Sequence, residues 1–203
     1  SESEDKEKLN KDHIQRKIEE IIEQEQSILS LKIKDIVIHR QGKLFPPEIK
    51  GINNALSKLS KMGVISDNYN CTFIEIKKTA RLPLRLFKIV DDHSDQRELI
   101  YNPNVGTYFL LSRNDGFVCT TGYPFRHQGT TRPLHVIKKK GKLPFNKILE
   151  DVFYLANLTW TKIDDCSRDP LTIKMGDIRL REIAGEYNED ALKFEEDGGE
   201  EFE

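Results

Sequence analysis

The chain has 203 residues, 37% of them hydrophobic and 33% charged, which suits one domain with a buried core and polar ends. No stretch approaches the roughly 18 apolar residues of a membrane span. Ser1 to Lys11 lacks the apolar centre of a signal peptide, and Cys71, Cys119 and Cys166 have neither CxxC nor zinc spacing, as expected of reduced thiols in a cytoplasmic protein.

The predicted elements begin after a solvated lead-in over residues 1–11. Ile14, Ile18, Ile21, Ile22, Ile28 and Leu29 recur at helical spacing and predict a helix from Asp12 to Leu29. Its apolar face either docks on the rest of the domain or meets a partner. Ile36-Val-Ile38 reads as a buried strand and Gly42 as a turn. Pro46-Pro47 suits a helix start, Ile49, Ile52, Leu56 and Leu59 form that helix's stripe, and Gly63 stops it. Cys71 to Lys77 and Leu84 to Val90 predict two strands, and the polar stretch 91–106 predicts a long loop. Tyr108 to Leu111 and Phe117 to Thr120 flank Arg113-Asn-Asp-Gly116 and predict a hairpin. Leu134 to Ile137 is a further strand. Phe145, Ile148, Leu149, Val152, Leu155, Ala156 and Thr159 form one helical face, a last helix runs from Met175 or Asp177 to about Ala184, and residues 186–203 read as an acidic tail.

Alternating strands and helices predict an α/β domain with a mixed sheet flanked by helices. The net charge of −2 conceals an asymmetry. Residues 1–30 carry −4 and residues 186–203 carry −8, which leaves +10 on residues 31–185. A basic body between acidic ends suits a nucleic-acid partner, or equally an ordinary lysine-coated surface.

Two segments carry a resemblance. Ile36-Val-Ile-His-Arg-Gln-Gly42, a strand followed by a turn and a helix, resembles the His/Tyr-Arg-Asp-Gly strand end of Piwi domains. Gln128-Gly-Thr-Thr-Arg-Pro-Leu-His-Val136 is similar to the Gly-Thr-Ser/Thr-Arg-Pro stretch of Argonautes. Ile74-Glu-Ile-Lys-Lys78, Arg85-Leu-Phe87, Cys166-Ser-Arg-Asp-Pro-Leu-Thr-Ile173 and Met175-Gly-Asp177 follow the family's order. The chain therefore resembles the C-terminal half of a prokaryotic-type Argonaute Piwi domain over residues 12–185. That resemblance implies a partial RNase H-like fold.

Active members of the family hydrolyse phosphodiesters with two divalent cations, Mg²⁺ or Mn²⁺, held by clustered carboxylates. The resemblance places the first aspartate on a strand upstream of this sequence. It places the inserted glutamate upstream or within residues 1–11, where Glu2, Glu4 and Glu7 have no distinguishing context. The second aspartate falls on Gln41, a neutral amide that binds such cations far more weakly. Asp177 matches the fourth position, or else is a helix-start residue stabilised by the N-terminal dipole. The expectation is a degenerate set, with no cofactor and no cleavage. Glu48 and Glu75 read as ordinary helix and strand residues. His39 reads as packed at the strand end, and no histidine pair has metal spacing.

What the resemblance retains is binding. Thr130, Thr131 and Arg132 carry over as contacts to the guide strand near its 5′ end, with Gly129 allowing close backbone approach. Arg132 is otherwise a salt-bridge residue at the sheet edge. Arg126 and His127 lie just before, and Arg168 matches a second segment near the guide's 5′ end. Lys138, Lys139, Lys140 and Lys142 surround Gly141 as a basic strand-end loop, either phosphate-facing or merely solvated. Lys77, Lys78, Arg81 and Arg85 form a second cluster. Tyr123 and Phe125 are placed to stack a base, unless Phe125 is core. The implied partners are a guide RNA or DNA strand, its complementary target, a companion chain or upstream half with the MID domain, and an effector in defence against foreign DNA. The rival readings are a metal-dependent nuclease completed by a companion chain, and a protein–protein module.

Overall fold

The computed structural model describes residues 9–78, 84–92, 97–158 and 167–184. Among them are four helices and seven strands in the order α1 (Lys11–Ile28), β1 (Asp35–Gln41), α2 (Pro46–Lys61), β2 (Asn70–Lys78), β3 (Lys88–Asp92), β4 (Arg97–Tyr101), β5 (Tyr108–Ser112), β6 (Asp115–Val118), β7 (Leu134–Lys140), α3 (Phe145–Asn157) and α4 (Leu171–Ala184). Five strands form one mixed sheet in the order β1-β2-β7-β6-β5, and β3 and β4 form a separate pair. The architecture is the α/β class expected, with helices beside a sheet of mixed direction.

The chain divides into two compact units. The first is Ser1–Lys77 with Ile137–Leu143, and the second is Lys78–Val136 with Pro144–Glu203. In the first, the Asn10 side chain accepts the amides of Asp12 and His13 at 2.8 and 3.3 Å and so caps α1. Ile14, Ile18 and Ile22 then pack with Ile52, Leu56, Leu59 and Phe73 in one core. The Ile14, Ile18 and Ile22 side of α1 is therefore a docked face, while Ile21, Ile28 and Leu29 of the expected stripe are exposed. Gly51 makes the helix pair possible. A Cβ there would lie 2.3 Å from Ile14 Cγ2 and 2.5 Å from the Lys11 carbonyl oxygen.

β1 and β2 run parallel, with Ile38 opposite Phe73, Arg40 opposite Glu75 and Gln41 opposite Ile76. Phe73, Ile74 and Ile76 are all buried, so β2 is covered on both faces. That is the usual setting of a parallel strand, and it blurs the alternation that the sequence suggested.

In the second unit, Phe117, Val118, Cys119 and Leu134 share a core with Phe145, Ile148, Leu149 and Val152 of α3 and Ile173 of α4. Several boundaries differ from expectation here. The stretch expected as a long loop contains β4, which pairs antiparallel with β3 from Lys88↔Tyr101 to Asp92↔Arg97. A two-stranded ribbon leaves most side chains in water, so its polar residues gave no strand signal. Leu84 to Leu86 precede the strand, and Leu86 instead bridges to Thr131. The hairpin turn is Arg113-Asn114, while Asp115 and Gly116 already lie in β6. β7 continues through Lys140, so Lys138, Lys139 and Lys140 are strand residues and not a loop. α4 begins at Leu171, which puts Asp177 in mid-helix and removes the helix-start explanation. Arg81, Thr159, Cys166 and the acidic tail lie outside the described residues.

Candidate nucleic-acid interface

The segment Arg126–Arg132 is held from beneath by Asn102. Its side-chain oxygen accepts the Thr131 hydroxyl at 2.7 Å, its side-chain nitrogen donates to the Gln128 carbonyl at 2.8 Å, and its amide donates to the His127 carbonyl at 2.9 Å. Asn102 and Thr131 are both buried. A buried amide with both ends satisfied fixes a turn firmly, because releasing either end strands a polar group away from water. Gly129 has φ +110 with the Asn102 side-chain nitrogen 3.7 Å from where a Cβ would stand. Leu86 and Thr131 exchange backbone hydrogen bonds at 2.9 Å in each direction, which ties the neighbouring strand segment to the same turn.

This support sorts the expected contacts. Thr131 faces inward and is part of the scaffold. Thr130 is half-buried, and its hydroxyl accepts Arg85 Nη1 at 3.2 Å. Arg85, Arg126 and Arg132 are exposed, as are His127 and Tyr123, whose rings meet edge to face at 5.2 Å. Phe125 is half-buried. The turn thus carries two exposed guanidinium groups and an aromatic edge, with Arg85 bonded to it from the neighbouring segment, the side-chain types that take phosphates and unstacked bases. Asn102 is the residue that sequence reasoning missed. Asn-Pro-Asn reads as turn chemistry, and nothing local reveals that its amide spans to residues 128 and 131.

A second group lies on the same unit. The Thr120 hydroxyl donates to the Arg168 carbonyl at 2.7 Å, and Lys78 pairs with Asp169 at 2.8 Å. Ser167 is buried and its hydroxyl donates to the Asp169 carbonyl at 3.2 Å. The start of the 167–170 segment is therefore anchored by its backbone, and Arg168 is half-buried there.

In the first unit, Gln41 ends β1 and the Gly42 amide donates to the Ile76 carbonyl at 2.9 Å. Arg40 donates to the Gln41 carbonyl, and its Nε lies 3.6 Å from Glu48. Glu48 and Glu75, expected as ordinary helix and strand residues, are buried, each 1% exposed. Glu48 accepts the amides of Phe45 at 3.0 Å and Leu9 at 3.3 Å. Glu75 accepts the Leu44 amide at 2.9 Å and faces Lys77 at 3.0 Å and Lys139 at 3.7 Å. Burial pushes the Glu75 carboxyl up, but the Leu44 amide and the two lysines outweigh it and hold the group below the ordinary glutamate value of 4.5. These acids are committed to the β1–α2 turn and to cations of the chain. Lys138 donates to the Leu143 carbonyl at 3.0 Å, while Lys140 is exposed.

Two-metal chemistry needs several carboxylates around one point. Among the described residues no group of three or more His, Cys, Asp or Glu side chains converges as a metal site. At the end of β1 the neutral Gln41 amide adjoins Arg40, and the buried Glu48 and Glu75 carboxylates are paired with backbone amides and cations of the chain. Cys71 and Cys119 are free thiols, pushed up to about 11 and about 12 by burial, and neither is a nucleophile at neutral pH.

The fold defines the class. It is the fold of part of a prokaryotic Argonaute. The structure of Clostridium butyricum Argonaute bound to a guide DNA and a 19-mer target DNA superposes with a TM-score of 0.65 at 23% identity, covering 87% of this chain and 21% of that one. The structure of Aquifex aeolicus Argonaute matches with a TM-score of 0.53 at 18% identity, covering 82% of this chain and 21% of that one. A structure of Aa-Ago with externally bound siRNA gives 0.52 at 18% identity, covering 81% of this chain and 20% of that one. The chain thus spans about a fifth of these neighbours' length. No family model matches the sequence, and no curated protein is similar to it. No helix among the described residues is long and apolar enough to cross a membrane.

Proposed function

We propose that this chain is the guide- and target-binding part of an Argonaute-like protein that holds nucleic acid without cutting it, in a role of defence against foreign DNA. The observation that carries the reading is the Asn102-pinned turn, which carries exposed Arg126 and Arg132 and whose Thr130 bonds exposed Arg85. The guanidinium groups take the backbone of a guide RNA or DNA strand, and sequence is read by pairing between guide and target. Arg168, on its anchored segment of the same unit, adds positive charge. The remaining parts of an Argonaute, the MID pocket among them, come from an upstream half or a companion chain, with an effector protein acting downstream.

The absence of cutting rests on Gln41. An uncharged amide next to Arg40 supplies no ligand for a divalent pair and does not offset its charge beside a phosphate. An electrophoretic shift series with a guide strand across rising salt tests the binding. Affinity should fall steeply with salt, because neutralised phosphates release counterions. Binding indifferent to salt would leave the fold as a protein–protein module. Guide-directed cutting of a labelled target in Mn²⁺ by the complete assembly, abolished in Asp177→Ala, would establish the nuclease reading instead.

A further inference from the structure

β5 lies at an edge of the sheet and takes no part in the interface described above. Tyr108, Phe109, Leu110 and Leu111 are 54, 54, 48 and 56% exposed. Edge strands normally carry lysine, proline or an inward charge that discourages pairing. Tyr108–Ser112 carries none of these.

The backbone shows which groups point outward. The Thr107 carbonyl accepts the Cys119 amide at 2.8 Å, and Phe109 lies opposite Phe117. Amide and carbonyl groups alternate in direction along an antiparallel strand. Those of Phe109 therefore face β6, and those of Tyr108 and Leu110 face outward, where no further strand is placed among the described residues. The register shift between Leu110 and Ser112 ends this regular stretch.

Those three residues are self-complementary. A two-fold axis at Phe109 sets Tyr108 against Leu110 of a second copy, with two hydrogen bonds in each of the two pairs. Phe109 meets its own counterpart as the closer, non-hydrogen-bonded pair, with Cα atoms about 4.5 Å apart, where aromatic pairs contribute most. No like charges face each other. The same register carries the exposed Arg113 of the second copy to residues 105 and 106. These adjoin the mouth of a cavity of about 340 Å³ lined by Gly106, Tyr108, Leu149, Glu150 and Phe153. Glu150 and the neighbouring Asp151 share the single cation Lys147, at 3.0 and 3.2 Å, so this lip keeps a net negative charge for Arg113.

We infer that the β5 edge is a self-association surface, on which two copies of this chain join antiparallel through Tyr108–Leu110 with Arg113 of each copy against Glu150 of the other. The four half-exposed apolar side chains offer roughly 400 Å² per copy, against about 800 Å² per partner in a standard stable interface. The dimer is accordingly weak and concentration-dependent.

Sedimentation velocity of the whole chain without nucleic acid, over roughly a hundredfold range of concentration, tests this. The sedimentation coefficient should rise from the monomer toward the dimer value. Phe109→Lys sets two ammonium groups across the axis and should weaken association about tenfold or more. Arg113→Glu lies in the turn, spares the strand's packing, and should weaken it by a smaller factor. The double variant Arg113→Glu, Glu150→Arg should regain most of that loss. A monomer throughout the series overturns the inference. So does association that Phe109→Lys and Arg113→Glu leave unchanged, or that appears only with nucleic acid present. Guide binding should be the same in Arg113→Glu as in the original chain, so this result stands apart from the proposed function.

Discussion

The Gln128–Arg132 turn and the end of β1 both carry sequence that resembles one family's pattern, and the two segments are held in different ways. In the turn, Arg126 and Arg132 are exposed and the buried Asn102 amide holds the backbone between them. At the end of β1 the strand, the Gly42 turn and the buried Glu48 cap are in place, and the position that the resemblance gives to an aspartate holds Gln41. Packing and hydrogen bonds stabilise such a strand end whether or not a cation binds. Binding groups and catalytic groups therefore have to be judged separately, residue by residue.

The comparison breaks most readily at Asn102. Asn102→Ala leaves the buried Thr131 hydroxyl and the Gln128 carbonyl without their partner, and should cost roughly 2 to 3 kcal/mol of stability. Denaturant melts read the stability change, and guide affinity should fall in the same variant. A loss of binding with stability untouched would mean that Asn102 contacts the ligand itself. Arg132→Ala comes next. It should weaken guide binding about tenfold, uniformly across sequences, and lower the salt slope by about one. Unchanged affinity would return Arg132 to an ordinary surface role.

Glu75→Gln probes the scaffold of the other region. It should cost about 1 kcal/mol at neutral pH, since the charge-assisted contacts to the Leu44 amide and Lys77 are lost. The sign with pH follows from the depressed carboxyl. Its stabilisation is complete above the ordinary value of 4.5 and is lost as pH falls through the lower folded value, so the gap between variant and original should close in acid. A gap that widens in acid would show that Glu75 is protonated in the folded chain. The smallest effect is expected from Gln41→Asp. One restored acid should give no detectable Mn²⁺-dependent cutting, measured on labelled target with the complete assembly. Cutting by that single variant would show that the other ligands are already in place and that residue 41 alone separates the two states.

The sequence made the helical elements legible because their apolar spacing survives in exposed and buried settings alike. α1, α2 and α3 fall within two residues of where periodicity puts them. β4 was invisible because a two-stranded ribbon buries too little to impose alternation. The lysines at 138–140 looked like a loop because charge at a strand end and charge in a loop read the same. In the candidate interface, Arg126, Arg132 and Thr130 were readable from their order around Gly129. The division of labour between Thr130 and Thr131 was not, since two adjacent threonines differ only in which way the backbone turns them.

By itself the sequence determined the helices and most of the strands, the basic body, and a neutral amide, Gln41, at the end of β1. These are properties of single residues and of local spacing. Only the tertiary structure decided that Asn102 reaches Gln128 and Thr131, that Glu48 and Glu75 are buried and paired, and that Tyr108 and Leu110 turn their backbone groups outward. Each of those depends on which distant segments meet, and a hydrogen bond between residues some 26 to 31 positions apart leaves no trace in the residues beside either end.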